Sequence, residues 1–451
     1  MTYQTLPELA EALHPAATVL PDAVRVTNAA AITGELIDRL VWTAVFGSDG
    51  ALRGAARSTL RSLAAAAGIR PASIHGLYMA IGRGEAGGFT VPAINIRALT
   101  YDTARAVVRA AKALGAGAVI FEISRGEMEY SRQTPDEYAA VVIGAALREG
   151  HSGPLFIQGD HVQINAKKYH GAAREPELEA LRALIGEELA AGFHNIDVDA
   201  STLVDLTQPG LADQQRPNAA LAADFTAFIR AHQPDGVTVS IGGEIGEVGG
   251  RNSTVAELRA FMEGYRAALD SCGGGVGISK ISVQTGTAHG GFVNADGSVR
   301  RDVNIDFEVL TELSRVARAD YGLGGAVQHG ASTLAADAFD AFPRSGACEI
   351  HLATEFLNIL YDHPLFPPGL KAEMYEWVRR HAAAERAPHD TEEQFLYKTR
   401  KKALGAFKHE VWSLGEDVRQ AVGAALEKQF ALLMRKLKVE NTAGVVARHI
   451  V

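Results

Sequence analysis

An acid and an imidazole stand side by side in FIQGDHVQIN, residues 156–165, where an apolar run ends in Asp160 and His161. Polar groups that close a buried strand cost about 2 to 7 kcal/mol each on transfer scales unless something binds them. Further along, TGTAHGG carries His289 in a glycine-rich stretch, and VQHGAS sets His329 beside Gly330, Ala331 and Ser332. Catalytic zinc takes three protein ligands, commonly neutral imidazoles, and keeps a position open for substrate. His161, His289 and His329 supply that number. A single histidine on an apolar element is more often a satisfied core residue than a ligand, so the argument rests on the trio. Asp197 and Glu244 belong to other apolar runs and offer carboxylates, either to orient a ligand imidazole or to form an alternative metal position.

These residues are far apart in sequence, so the fold must bring them together. From about residue 90, short apolar runs alternate with helix-period stretches: VPAIN 91–95, AVIFEIS 118–124, LFIQGDH 155–161, NIDVDA 195–200, TVSIGGE 238–244, ISKISV 278–283, GAVQHG 325–330 and ACEIHLAT 347–354. TYDTARAVVRAAKALGAG shows the intervening pattern, with Ala104, Val107, Val108 and Ala111 at helical spacing and Gly115 as a stop. Strand and helix repeated to a count of eight predict an α/β fold, the (β/α)8 TIM barrel, over residues 86–365. Residues 1–85 read as an Ala-rich N-terminal helical extension. Residues 366–451 read as a C-terminal helical extension, a candidate oligomer contact, that closes on a loose NTAGVVARHIV tail. In such a barrel the residues that close the strands all face one rim, where chemistry takes place.

Composition narrows the partners. A net charge of −9 with no long basic block argues against nucleic acid and anionic membranes. Two cysteines, Cys272 and Cys348, exclude a disulfide scaffold and a four-cysteine zinc site. The amino-terminal stretch lacks a basic flank followed by an apolar core, and no run of eighteen uncharged apolar residues occurs, so a soluble cytoplasmic protein is expected. No G-x-G-x-x-G follows a strand, which disfavours a nicotinamide enzyme.

GDHVQ, NIDVDAS, GEIGEVGG, TGTAHGG and QHGAS, in this order, resemble the class II (zinc-dependent) fructose-bisphosphate aldolase family over roughly residues 87–365. The resemblance implies reversible aldol cleavage of a phosphorylated ketose, by default fructose 1,6-bisphosphate, to dihydroxyacetone phosphate and glyceraldehyde 3-phosphate. It implies a glycolytic enzyme of carbohydrate metabolism with Zn2+ held by His161, His289 and His329, and a monovalent cation as a further candidate. Asp160 then handles the proton on the hydroxyl that becomes the aldehyde, and Glu247 is the nearest match to the family's mobile glutamate that moves the carbon-bound proton. Asn95 and Ser124 match polar positions at the ends of strands one and two, and Asp197 and Glu244 match acids near an alternative zinc position. Gly290, Gly330, Ala331 and Ser332 fit a phosphate cradle of backbone N–H groups. After strand eight the family has an NIDTD-like motif where this chain has HLATE, residues 351–355, so that only Thr354 matches. YKTRKKALGAFK, 397–408, is the best basic cluster for a second phosphate, with Arg400 matched to a family arginine.

Two rivals stay open. Lys280 in ISKISV stands where a Schiff-base aldolase carries its lysine. A non-catalytic barrel that binds a sugar phosphate is the other. A zinc hydrolase lacks its His-x-His pair. The expected partner is a small sugar phosphate, and the expected assembly a homo-oligomer, because the flanking helices present more amphipathic surface than one barrel needs.

Overall fold

The eight apolar runs become eight strands: β1 Val91–Asn95, β2 Ile120–Ser124, β3 Gly153–Gln163, β4 Asn195–Asp199, β5 Ser240–Glu244, β6 Lys280–Val283, β7 Ala326–Gln328 and β8 Glu349–Leu352. The computed structural model describes residues 2–19, 24–246, 251–286, 292–301 and 305–450. Each strand pairs in parallel with the next, and β8 returns to pair with β1, so the sheet closes into a (β/α)8 barrel. Helices separate the strands. Thr100–Leu114, after β1, buries Ala104, Val107 and Val108 and ends at Gly115, whose φ of 59° is the left-handed stop that glycine adopts readily.

The barrel interior carries charge. Lys280, 1 % exposed, donates to Gln158 at 2.8 Å and is ion-paired with Asp197 at 2.9 Å and with Glu349. Gln158 in turn donates to Glu122 at 3.1 Å and to Glu349 at 2.9 Å. A side chain at position 242 could not share this layer, because a Cβ on Gly242 would lie 2.3 Å from Asp197 Oδ1. A buried charge survives only when paired and hydrogen-bonded.

The flanks are helical with exceptions. Residues before β1 form helices Leu6–Leu13, Gly34–Phe46, Gly50–Ala66 and His75–Gly82, but also a hairpin of Ala17–Val19 with Val24–Val26, and a short strand, Ile69–Pro71, alongside the start of β3. Three-residue strands are too short to show a period in sequence. After β8 come Pro368–His381, Glu392–Thr399, Glu416–Lys436 and the short Ala443–Ala447. The expected loose tail is tied down instead: Asn441 N–H donates to Leu114 C=O at 2.9 Å, Gly117 N–H donates to Thr442 Oγ1 at 3.0 Å, and Val446 is buried. Among the described residues no helix is long and apolar enough to cross a membrane.

Glu188, on helix Arg174–Ala191, is buried against the backbone of β3, and both carboxylate oxygens lack a hydrogen-bond partner among the described residues. Its oxygens lie 2.6 Å from where a Cβ on Gly159 would be. Burial, with Glu187 and Asp197 adding to it, pushes its pKa up to about 8 from an ordinary 4.5. A folded-state pKa above the unfolded one means that the folded chain holds the proton more tightly. The associated stability is present in full below about pH 4.5 and is lost as pH rises through about 8. Each pKa unit corresponds to about 1.4 kcal/mol. Glu188→Gln is therefore expected to match the wild type in urea melts at pH 4.5 and to exceed it by a few kcal/mol at pH 8.5. A difference that does not change with pH would refute this account.

Candidate active site at the carboxyl rim of the barrel

His161 sits at a β-bulge. The β3–β4 register shifts between Gly159 and Val162, and His161 has a φ of 41°, left-handed backbone that a non-glycine residue rarely adopts. The bulge turns its ring toward the rim, where Nδ1 lies 3.3 Å from both Asp199 Oδ2 and Glu244 Oε2. His329, immediately after β7, packs its ring 4.4 Å from that of His161, and its Nε2 meets Ser282 Oγ at 2.9 Å. One ligand atom from each of His161, Glu244 and His329 lies within 4.8 Å of the others, a donor set of two imidazoles and a carboxylate that suits zinc and neighbouring divalent metals.

The surrounding field is strongly negative. Burial disfavours a charged His161 ring, but Asp160 and Glu244 outweigh it and hold its pKa well above the ordinary value. Glu244 is pushed up to about 7, first by burial and then by Asp199. Burial would likewise raise Asp199, yet hydrogen bonds from His161, Ser201 and Gln163 keep it below the ordinary carboxylate range. Crowded carboxylates that share protons with imidazoles are what a divalent cation neutralises by displacing those protons.

Asp160 is 5 % exposed and faces the same cavity, about 750 Å³ in volume. Its Oδ1 lies 3.1 Å from Nδ1 of His351, whose Nε2 meets Glu349 Oε1 at 2.6 Å and whose ring packs 4.1 Å from that of His329. His351 therefore links the acid, the second imidazole and the charged layer beneath. In the sequence this position shows only as the histidine of HLATE that stands where the family's NIDTD-like motif has asparagine. Its signal was present: an imidazole two residues past Glu349 on an inward-facing strand.

The cavity brings together Asn95, Ser124, Asp160, His161, Gly330, Ser332 and Thr354 as expected, and His329 joins them. Ser124 also caps helix Arg125–Ser131, accepting from the Glu127 N–H. Ala331 is fully buried and does not line the cavity. Asp197 lies a layer lower than expected for a partner of His161: it binds Lys280, and Asp199 takes the His161 role. Arg400 stands apart from the cavity. It is 4 % exposed, lies 4.9 Å from the Tyr361 ring and donates to Asn358 at 2.6 Å, so it holds the fold and does not reach the cavity. His289, Gly290 and Glu247 lie outside the described residues. Lys280 is ill placed for imine formation, because the nucleophile must be a neutral, accessible amine, and here Asp197 and Glu349 hold a buried ammonium.

A closed parallel barrel with a His–His–Glu donor set and a buried acid at one rim defines a barrel whose rim could hold a divalent metal. The sequence profile described as fructose-bisphosphate aldolase class-II matches residues 78–433, well over half of the chain. The protein belongs to the class II fructose-bisphosphate aldolase family, which makes it a lyase-type enzyme of metal-dependent aldolase chemistry. Comparison with curated proteins gives no match. Among solved structures, a probable tagatose 6 phosphate kinase from Sinorhizobium meliloti 1021 is similar at 19 % identity and a TM-score of 0.56, covering 78 % of this chain and 100 % of its own. The fructuronate-tagaturonate epimerase UxaE from Cohnella laeviribosi is similar at 13 % identity and a TM-score of 0.51, covering 78 % of this chain and 82 % of its own. These likenesses concern the fold.

Proposed function

We propose that the protein is a zinc-dependent class II aldolase that reversibly cleaves a phosphorylated ketose, with fructose 1,6-bisphosphate as the first substrate to test. The observation that carries this reading is the convergence of His161, Glu244 and His329 at one rim, with His161 and His329 lining one cavity together with Asp160. His161 and His329 would hold the metal, with His289 as third imidazole, and Glu244 offers the alternative carboxylate. When bound, the metal supplies Lewis-acid stabilisation of the negative charge that develops on the donor fragment.

The protein's own groups do the rest. Asp160 takes the proton of the substrate hydroxyl as the carbon–carbon bond breaks; the O–H electrons become the aldehyde C=O, and the bond pair stays with the donor fragment. His351 orients Asp160 through the 3.1 Å contact. Glu247 returns a proton to the donor carbon. Gly330, Ser332 and Thr354 cradle a phosphate, Thr354 N–H itself donating to Ser332 Oγ at 3.0 Å. A second reading, a barrel that binds a sugar phosphate without turnover, draws on HLATE standing where the family carries an NIDTD-like motif. With the main reading go a cytoplasmic setting and a homo-oligomer, which light scattering checks.

A coupled cleavage screen over phosphorylated ketoses, with and without chelator, tests the function. Cleavage that stops with chelator and returns with zinc is expected. Chelator-insensitive cleavage, or borohydride trapping of substrate on Lys280, would overturn it, and binding without cleavage would favour the second reading.

A further inference from the structure

One wall of the same cavity is built by the carboxyl-terminal extension, within the basic stretch 397–408. Helix Glu392–Thr399 runs into a single 3-10 turn, Arg400–Ala403. Arg400 is the anchor of that turn, held between Tyr361 and Tyr397 at 4.9 and 4.6 Å from their ring centroids. Anchoring Arg400 inward leaves Lys401 and Lys402 on the cavity wall, with Arg97, two residues beyond β1, and Tyr130 lining the same space.

One cation on this wall has no carboxylate within ion-pair reach among the described residues. Arg97 pairs with Glu127 at 2.6 Å, and Lys402 pairs with Glu385 at 3.2 Å. Lys401 is half-buried and has no hydrogen bond or ion pair among the described residues. Burial, followed by the positive charge of Arg97, lowers its pKa, so the structure itself opposes this ammonium. Both lysine ammonium groups sit 5.9 Å from the Tyr130 ring centroid. The Tyr130 hydroxyl is buried and also lacks a hydrogen-bond partner among the described residues. An unmatched cation and an unmet O–H donor on one cavity wall are complementary to an anion rich in acceptor oxygens.

We propose that Lys401, Arg97 and Tyr130, with Lys402 beside them, bind a phosphoryl group of the substrate. A tetrahedral dianion offers enough acceptors for two or three cations and a phenol at once, whereas a carboxylate offers one charge and two oxygens. This inference rests on the reading that a phosphorylated ketose enters the cavity. It replaces Arg400 with its neighbour: the arginine folds the turn and the lysine meets the ligand.

The test is calorimetric titration of the intact protein with inorganic phosphate, together with turnover on whichever phosphorylated ketose is cleaved. Lys401→Met is expected to weaken phosphate binding at least about tenfold and to raise KM by a similar factor with kcat nearly kept, the pattern of an interaction equal in ground and transition states. Lys401→Arg should restore most of the affinity. Because Lys401 makes no hydrogen bond or ion pair among the described residues, the variants should melt close to the wild type, and a purely structural role would instead lower stability without moving KM. Unchanged phosphate affinity in Lys401→Met, or acetate binding as tightly as phosphate, would overturn the proposal. The two readings fail separately. Phosphate binding through Lys401 without ketose cleavage would sink the aldolase reading alone, and metal-dependent cleavage with an unchanged KM in Lys401→Met would sink this one alone.

Discussion

Alanine at position 329 is expected to empty the metal site and abolish turnover together. His329 is one of three donors whose ligand atoms lie within 4.8 Å of one another, and its ring is wedged between those of His161 and His351 at 4.4 and 4.1 Å. Loss of a group that only orients a ligand already costs roughly 10- to 100-fold in metal affinity, and loss of a ligand costs more, on the order of a thousandfold. Protein purified without added metal should then carry less than about a tenth of the wild-type zinc, with cleavage at background. Elemental analysis of the purified variant reads this directly. Wild-type metal content in His329→Ala would break the ligand assignment, whatever the activity.

The second large effect separates proton transfer from metal binding. Asp160→Asn keeps the shape and the hydrogen-bonding reach toward His351 Nδ1, 3.1 Å away, but removes the group that takes a proton. General acid–base catalysis contributes roughly 10²- to 10⁴-fold, so kcat should fall by that factor with KM and metal content little changed. Ligand atoms of Asp160, His329 and His351 also lie within 4.8 Å of one another, which gives Asp160 a second candidate role as a metal donor. The two roles give different results. A variant that loses zinc as well as activity would make Asp160 a ligand, and one that turns over within about twofold of the wild type would remove it from the proton path.

The barrel was legible because its strands are continuous apolar runs bounded by helix stops, and closing eight of them in parallel fixes which ends share a rim. That is why Asp160, His161 and His329 fall on one cavity. Depth was not legible. Asp197 and Asp199 alternate onto the same inward face, as do Glu349 and His351, so parity cannot say which member reaches the rim and which sinks beside Lys280. That assignment depends on strand stagger and on the β3 bulge, which shifts the register by an amount no alternation pattern records. The exchange of Arg400 for Lys401 has a similar origin. A basic run shows that cations are present, while the phase of one 3-10 turn decides which faces the cavity, and that phase is set by Tyr361 and Tyr397.

The unusual backbone at His161 sets durability against activity at a single residue. A φ of 41° suits glycine or asparagine better than an imidazole with its Cβ. A library sorted only for resistance to heat would drift toward those smaller residues at this place and collect sturdy, inert barrels, so that selection for turnover must accompany any effort to harden the enzyme.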